Sequence, residues 1–264
     1  MSSSRTCRVA GPAMVWVWDV ELQSEMRVER YLKGVEALRR VRVVQSFEEL
    51  VGARFEGDVN ALCWARELAG DFREVAAALS AGEGMTAIED EDLRALALSP
   101  AGAVARDVLL LDQALLRGAG LEPMLEVNTG YPRDEAAGPI PTDVYSFHAD
   151  SATVSADTYL CTYMGRSSEG VLNEEVVRRA DIAETRAQLL KRYGGADDAG
   201  FAAYLSEQHY DLHYWPQPGA RPYSFGLGNL WRIAIAYPGC PVLPCIHRAP
   251  LTLPGYEARL LLIS

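Results

Sequence analysis

The sequence predicts an α+β protein in which an antiparallel β-barrel carries a layer of helices on its outside. Two observations support this prediction. Apolar residues recur at helical spacing through much of the first 120 residues, whereas short runs rich in Tyr, Val, Thr and Leu, separated by Gly and Pro, dominate after Gly120. These later runs do not alternate regularly with helices, so a parallel sheet built from βαβ units fits the order less well.

The first 120 residues are predicted to be a mainly helical region that supports the barrel. The predicted helices cover residues 27–40, 71–80 and 104–116, and one β-branched strand covers residues 41–44. Gly118 and Gly120 end the third helix, because glycine is typical of the positions that follow a helix.

Residues 121–264 are predicted to form the barrel itself, within a single domain that spans residues 1–264. The predicted strands cover residues 124–127, 143–150, 158–164, 223–227, 231–237, 242–247 and 259–263. Residues 129–142, rich in Gly and Pro, are predicted to be a loop. Two further helices, at residues 174–192 and 198–208, form a helical insertion at about residues 174–208.

Composition and charge favour a small molecule as the partner. Hydrophobic residues make up 49% of the 264-residue chain, which is enough for a core without disulfides or a structural metal, and the formal net charge is −11. Such a charge argues against nucleic acid and against an anionic membrane surface, both of which attract clustered Lys and Arg. Neither an oligomeric state nor a particular substrate follows from the sequence.

The cysteines and the N-terminus favour a cytoplasmic protein. The chain has five cysteines, an odd number with no CxxC pair: Cys7, Cys63, Cys161, Cys240 and Cys245. This pattern is typical of reduced, buried thiols rather than of a secreted disulfide framework. The apolar patch at residues 12–18 is too short to span a membrane, and it lacks the arrangement of a signal peptide.

A candidate metal site is formed by three residues. His148 and Asp150 lie two apart on a predicted strand, so their side chains point to one face and can converge. His247 ends a later apolar run, and a barrel can bring that run beside the first. Two histidines and one carboxylate form the triad that binds Fe(II) on one side and leaves positions open for O2 and substrate. His148 could also be a structural histidine, with Asp150 capping a turn.

Arg259 opens the last predicted strand, twelve residues after His247. If its side chain points into the barrel, it needs an anion, and a carboxylate held by both arms of the guanidinium is the natural partner. The alternative is a surface ion pair with a residue such as Glu257.

These residues resemble the Fe(II)/2-oxoglutarate-dependent dioxygenases, in which a His-x-Asp pair, a distant His and an Arg follow one another in this order. The chain also resembles an uncharacterised family of the same layout, through FHAD (147–150), LCTYMG (160–165), HRAP (247–250) and RLLLIS (259–264). The resemblance covers about residues 120–264. It implies a double-stranded β-helix, the jelly-roll barrel that cupins share. It also implies His148, Asp150 and His247 as iron ligands, with Arg259 binding the distal carboxylate of 2-oxoglutarate.

The chain departs from the dioxygenase pattern at the second residue after the arginine. Many of these dioxygenases have Ser or Thr two residues after the Arg, where this chain has Leu261. Another hydroxyl is then expected to contact the co-substrate, with Tyr159, Tyr163 and Thr162 as candidates. The carboxylate of Asp150 argues against the similar halogenases, which replace it to make room for chloride.

Other polar residues are weaker candidates. His209 and His213 lie four apart, which on a helix would place both on one face, but the HExxH pattern of zinc enzymes is absent and the segment that follows resembles a packed loop. Either could instead contact substrate, as could Asn128 and Arg133 beside the predicted loop. Arg248 is expected to point away from the site. The tryptophans at 16, 18 and 64 are expected to pack in the core.

The function predicted from these features is an oxygenase that uses Fe(II), 2-oxoglutarate and O2. It would oxidise a C–H bond of a small polar metabolite, such as an amino acid, by hydroxylation, desaturation or oxidative cyclisation. One alternative is a cupin-like iron oxygenase or isomerase that binds its substrate directly to the metal without 2-oxoglutarate. Another is a sensor or structural barrel without catalytic activity.

Overall fold

The computed structural model describes residue 31 and residues 34–79, 82, 84–134, 138–251 and 257–264. The predicted N-terminal helix therefore lies partly outside the described residues, although residues 34–36 are helical. Cys7, Trp16 and Trp18 lie outside them as well. Among the described residues, no helix is both long and apolar enough to cross a membrane.

The fold is a mixture of helices with two β-sheets. The helices are α1 (Phe47–Gly52), α2 (Phe72–Ala78), α3 (Asp90–Ala95), α4 (Pro100–Gly118), α5 (Ala183–Tyr193) and α6 (Ala199–Glu207). The strands are β1 (Val41–Val44), β2 (Ala61–Trp64), β3 (Met85–Ile88), β4 (Met124–Asn128), β5 (Phe147–His148), β6 (Asp157–Met164), β7 (Glu169–Val171), β8 (Val176–Arg178), β9 (His213–Pro216), β10 (Tyr223–Ser224), β11 (Leu230–Ala234), β12 (Ile246–Arg248) and β13 (Arg259–Ile263).

The larger sheet has the strand order β1-β2-β11-β6-β13-β4-β3, and the smaller sheet has the order β10-β7-β12-β5-β9-β8. Every pairing between two of these strands is antiparallel except that of β1 with β2. The α+β prediction is confirmed to this extent: two sheets, mainly antiparallel, with helices packed beside them.

The main core lies between the larger sheet and helices α2 and α4. Ser99 caps the start of helix α4, where its hydroxyl accepts a hydrogen bond from the Gly102 amide, and Pro100 occupies the first turn, where no backbone donor is needed. Its buried Leu109 and Leu116 pack against alternate residues of β4, β6 and β13. The other face of these three strands is thereby left to line the space between the two sheets.

The first 120 residues contain more β-structure than the sequence predicted. The strand at Val41–Val44 is confirmed, but β2 and β3 were missed, and all three belong to the larger sheet. Both missed strands are only four residues long, too short to show a clear period of two. The strand predicted at residues 143–150 is also shorter, because residues 143–146 form a turn in which the Ser146 amide bonds the Asp143 carbonyl.

Candidate metal centre

Three adjacent strands of the smaller sheet bring histidines into one row. His247 on β12 lies opposite His148 on β5, and His148 lies opposite His213 on β9. Their neighbours Phe147 and Ile246 point to the other face of the sheet, where they pack together with other apolar residues. The alternation of side chains along each strand thus places all three imidazoles on the face that looks towards the larger sheet.

His148, Asp150 and His247 form a compact cluster whose potential ligand atoms all lie within 4.8 Å of one another. The Nε2 atom of His148 is 3.6 Å from Asp150 Oδ1, and the Nε2 atom of His247 is 3.8 Å from Asp150 Oδ2. The ring centroids of the two histidines are 4.6 Å apart. This separation lets one ion lie between the three side chains.

Hydrogen bonds hold two of these side chains in place. The Nδ1 atom of His148 lies 2.8 Å from the Ser146 carbonyl oxygen, which can only accept, so Nδ1 carries the proton and Nε2 offers its lone pair. The hydroxyl of Thr158 donates a 2.6 Å hydrogen bond to Asp150 Oδ2. The buried Nδ1 of His247 makes no hydrogen bond within the described part of the chain.

The protonation states suit metal binding. Burial, reinforced by the neighbouring His247, lowers the pKa of His148 to about 4, so its imidazole is neutral at pH 7. Burial acts to raise the pKa of Asp150, but His247, His148 and the Thr158 hydroxyl together hold it below its usual value. A neutral imidazole and a carboxylate are the forms in which these side chains bind metals.

Arg259 is buried in the larger sheet, with only 4% of its surface exposed. Its Nε atom donates to the Arg166 carbonyl at 2.8 Å, and its Nη2 atom donates to the hydroxyls of Ser168 at 3.0 Å and Thr162 at 3.4 Å. Its Nη1 atom lies 3.5 Å from the hydroxyl of Tyr131. No carboxylate among the described residues lies within ion-pair distance of it. The predicted alternative, a pair with Glu257, is wrong, because Glu257 pairs with Arg73.

A glycine in the LCTYMG segment makes room for this arginine. Gly165 follows β6 with φ of +84°, a left-handed conformation that side chains rarely adopt. A Cβ atom there would lie 2.6 Å from the Ala258 carbonyl oxygen and 3.1 Å from Arg259 Cα. Gly165 therefore allows the start of β13 to approach the end of β6 closely.

The three candidate ligands and Arg259 line the same cavity, which has a volume of about 210 Å³. One wall is the smaller sheet with His148 and His247, and the opposite wall is the larger sheet. The remaining lining residues are Met85, Met124, Glu126, Tyr131, Val144, Leu160, Ser168, Ala249, Leu261 and Ile263. A small molecule that lies in this cavity can therefore meet a metal ion and a buried guanidinium together.

Two of the hydroxyls predicted to contact the co-substrate lie elsewhere. Tyr159 and Tyr163 are on the face of β6 that packs against the helices, in the main core. The hydroxyl of Tyr163 donates to Asp112 at 2.7 Å. The prediction is wrong for both, because consecutive residues of a strand face opposite sides, and only Thr162 shares the cavity side with Leu160.

The four candidate substrate residues are scattered. Asn128 on β4 lies opposite Arg259 on β13. Its side-chain amide donates to Glu126 and accepts from the Gly130 backbone amide. Arg133 is half exposed and pairs with Asp143 at 3.2 Å. His209 lies two residues after the end of helix α6, has φ of +58° and lines a separate surface cavity. His213 is buried beside His148, with its ring centroid 5.8 Å away.

His209 and His213 are not one face of a helix. Helix α6 ends at Glu207, a short 3-10 turn covers Tyr210–Leu212, and His213 begins strand β9. The spacing of four therefore has no helical meaning here. Arg248 points away from the candidate site, as predicted: its guanidinium pairs with Glu169 at 2.7 Å and lies 4.3 Å from the centre of the Phe147 ring.

Sequence reasoning missed Glu126, Tyr131, Thr158 and Ser168. Thr158 lies two residues before the LCTYMG segment on the same strand, and Ser168 lies three residues after it, in the connection to β7, so their nearness to this segment was the available signal. Glu126 had a clearer signal, since it is the one charged residue of the apolar strand MLEVN. A charge at such a position is buried at a cost, which often indicates function.

The donor set fits a divalent transition metal. Two imidazoles and one carboxylate, with the rest of the cavity open, are the ligands of non-haem Fe(II), although the same set also binds other divalent ions. A scan of the sequence against protein-family models finds no match, and a search of curated proteins finds no significant relative.

Proposed function

We propose that this protein is a non-haem Fe(II)- and 2-oxoglutarate-dependent oxygenase that oxidises a C–H bond of a small molecule. The observation that carries the proposal is the single cavity that holds both the cluster of His148, Asp150 and His247 and the buried Arg259. The two facing, mainly antiparallel sheets are compatible with the jelly-roll barrel of such enzymes.

The three ligands would bind iron from the side of the smaller sheet, and the cavity would provide the remaining positions. Bound Fe(II), with a 2-oxo acid as the source of two electrons, supplies the activation of O2 that oxidises an unactivated C–H bond. The protein's own residues would hold the reactants in place and exclude water. Leu160, Leu261 and Ile263 line the cavity wall and make it apolar around the reacting groups.

Arg259 would bind the distal carboxylate of the 2-oxo acid. Burial lowers the pKa of Arg259, as expected for a cation whose hydrogen-bond partners are neutral. A carboxylate of the ligand would place a negative charge directly against the guanidinium and could accept hydrogen bonds from it through both oxygens. The hydroxyls of Ser168, Thr162 and Tyr131 are placed to donate to the same carboxylate, in place of the hydroxyl that Leu261 lacks.

The outcome of the oxidation, whether hydroxylation, desaturation or oxidative cyclisation, depends on how the substrate lies beside the iron. The main competing function is an iron oxygenase or isomerase that binds its substrate directly to the metal. Arg259 would then bind a carboxylate of that substrate, and no 2-oxo acid would be consumed. Only the 2-oxoglutarate-dependent enzyme would form succinate, the product that remains when 2-oxoglutarate is oxidised and loses CO2.

The test is an anaerobic titration of the metal-free protein with Fe(II) and then 2-oxoglutarate, monitored by the weak visible charge-transfer band of the iron chelate. We expect the band with the wild type and with Arg248→Ala, a matched control that removes a guanidinium outside the cavity. We expect Arg259→Gln to weaken 2-oxoglutarate binding about 100-fold, the effect of losing two charge-assisted hydrogen bonds. Circular dichroism and thermal unfolding identify variants that fail to fold.

Three other results would point elsewhere. Iron binding without a band at any 2-oxoglutarate concentration would favour the enzyme that needs no 2-oxo acid. A band that persists unchanged in Arg259→Gln would refute the role of that residue. Failure of the wild type to bind Fe(II), or binding that survives in Asp150→Ala, would remove the basis of the proposed function and leave the non-catalytic barrel.

A further inference from the structure

Glu126 is a buried acid in the same cavity that the proposed function leaves without a role. It lies on β4 opposite Leu261 of β13, two residues before Asn128, which is the residue opposite Arg259. Only 3% of its surface is exposed. Among the described residues that line the cavity, it is the one charged group besides the candidate ligands and Arg259.

One oxygen of this carboxylate is fixed and the other is available. Oε1 accepts hydrogen bonds from Asn128 Nδ2 at 3.1 Å and from the Tyr131 hydroxyl at 2.9 Å. Oε2 makes no hydrogen bond within the described ranges. A buried carboxylate that is held firmly by one oxygen presents the other to whatever fills the cavity, and a ligand that donates a hydrogen bond would satisfy it.

The charges of the filled site also leave Glu126 unbalanced. Fe(II), the two carboxylates of 2-oxoglutarate, Asp150 and Arg259 together carry no net charge. Glu126 adds one negative charge to this group in a cavity largely removed from water, where an uncompensated charge is costly. The metal-free cavity has the same imbalance, because Asp150 and Glu126 face one guanidinium.

The cavity opens beside Glu126. Met85 and Met124 line it and are 52% and 45% exposed, so they mark its mouth at the edge formed by β3 and β4. A molecule that enters there passes two flexible thioethers, which adapt to apolar groups of varied shape. Met124 and Glu126 lie two apart on β4 and so share one face, which places the carboxylate close to this mouth.

We propose that Glu126 selects the primary substrate by binding its ammonium group, and that the substrate is a small primary amine of net charge +1 with an apolar chain. This inference rests on the proposed function, of which it names the substrate class. The ammonium would donate to Oε2 of Glu126, while the chain would lie against Met85 and Met124. A basic amino acid, whose net charge is also +1, belongs to the same class.

The test measures binding to the metal-free protein, so it does not depend on iron or 2-oxoglutarate. A short series of primary alkylammonium ions of increasing length is titrated by isothermal calorimetry, together with the alcohols of matching length. We expect saturable binding of the amines by the wild type and binding roughly 10- to 100-fold weaker by Glu126→Gln, which keeps the shape and the bonds from Asn128 and Tyr131. The control variant Glu122→Gln, which removes an exposed acid just before β4, should bind the amines as tightly as the wild type does.

Three outcomes would overturn the inference: the wild type shows no saturable binding of any amine, the matching alcohols bind as tightly as the amines, or Glu126→Gln binds the amines as tightly as the wild type. The proposed function fails by a separate observation, the absence of the charge-transfer band, which does not involve amines. Circular dichroism and a thermal unfolding profile like that of the wild type would show that Glu126→Gln is folded, so that its defect lies in amine binding.

Discussion

Replacing Thr158 with Val should weaken Fe(II) binding about tenfold, although Thr158 is not one of the candidate metal ligands. Thr158 lies on β6 in the larger sheet, and its hydroxyl donates a 2.6 Å hydrogen bond to Asp150 Oδ2, across the space between the sheets. A hydrogen bond to a charged acceptor contributes about 1.5–3 kcal/mol in total. The metal-free protein also contains this hydrogen bond, so most of its free energy is present before the metal binds. Only its effect on the orientation of the Asp150 carboxylate changes the affinity for Fe(II).

Partners that orient a metal ligand typically change the affinity about 10- to 100-fold, and we expect the lower end because 30% of the Asp150 side chain is exposed. The assay is an anaerobic competition between the protein and a chromophoric Fe(II) chelator, repeated with Mn(II). Protonation of Asp150 does not compete with the metal at pH 7: burial acts to raise its pKa, but its two histidine neighbours and the Thr158 hydroxyl hold that pKa below its usual value. Equal affinities for Thr158→Val and the wild type, or no recovery in Thr158→Ser, would refute this reasoning.

Two further predictions concern stability. Asp112→Ala should lower the free energy of unfolding, measured by urea titration, by about 3–5 kcal/mol, because it leaves the buried guanidinium of Arg66 without its carboxylate. The two nitrogens Nη1 and Nη2 of Arg66 now donate to the two oxygens of Asp112 at 2.7 Å and 2.8 Å. The affinity for Fe(II) should not change. The metal-free protein should also lose stability as the pH falls from about 6.5 towards 4. Burial is the main cause that lowers the pKa of both His148 and His213 to about 4, so the unfolded chain binds protons at a pH where the folded one does not. Each histidine should contribute roughly 3 kcal/mol by pH 4, and His213→Gln should remove about half of the slope in urea titrations across this range.

The sequence predicted the last strand better than the segments before β5 and α5, since the helix predicted at residues 174–192 begins only at Ala183, after two short 3-10 turns and strand β8. The last strand was predicted with the bounds it has, Arg259–Ile263, because four consecutive apolar residues follow one charge. Strand β5 was predicted to be eight residues long and has two, Phe147 and His148. The preceding turn at Asp143 has the same β-rich composition as a strand, and only the side-chain bonds of Asp143 to the backbone distinguish the two.

The candidate site was predicted from the sequence to the extent that it depends on residue types and strand alternation. His148, Asp150 and His247 were identified because few types of side chain bind iron and because the first two lie two apart on one predicted strand. Tyr159 and Tyr163 were wrongly assigned because the register of β6 against the cavity cannot be read from the sequence. Ser168 and Tyr131 come from loops, whose paths depend on packing far along the chain.

The two sheets contribute separate parts of the site, and this separation has a consequence for its function. The smaller sheet carries both histidines, whereas the larger sheet carries Arg259 and Glu126. Thr158 binds Asp150 from across the gap and therefore links the two parts directly. Under the proposed function, changes in the helices behind the larger sheet should alter the binding of the 2-oxo acid and the substrate more than that of the metal, because they move β13 and β4 but not β5 and β12. Under the proposed function, a displacement of about 1 Å between the sheets would change where a bound molecule meets the metal, so we expect the packing of helix α4 to contribute to specificity.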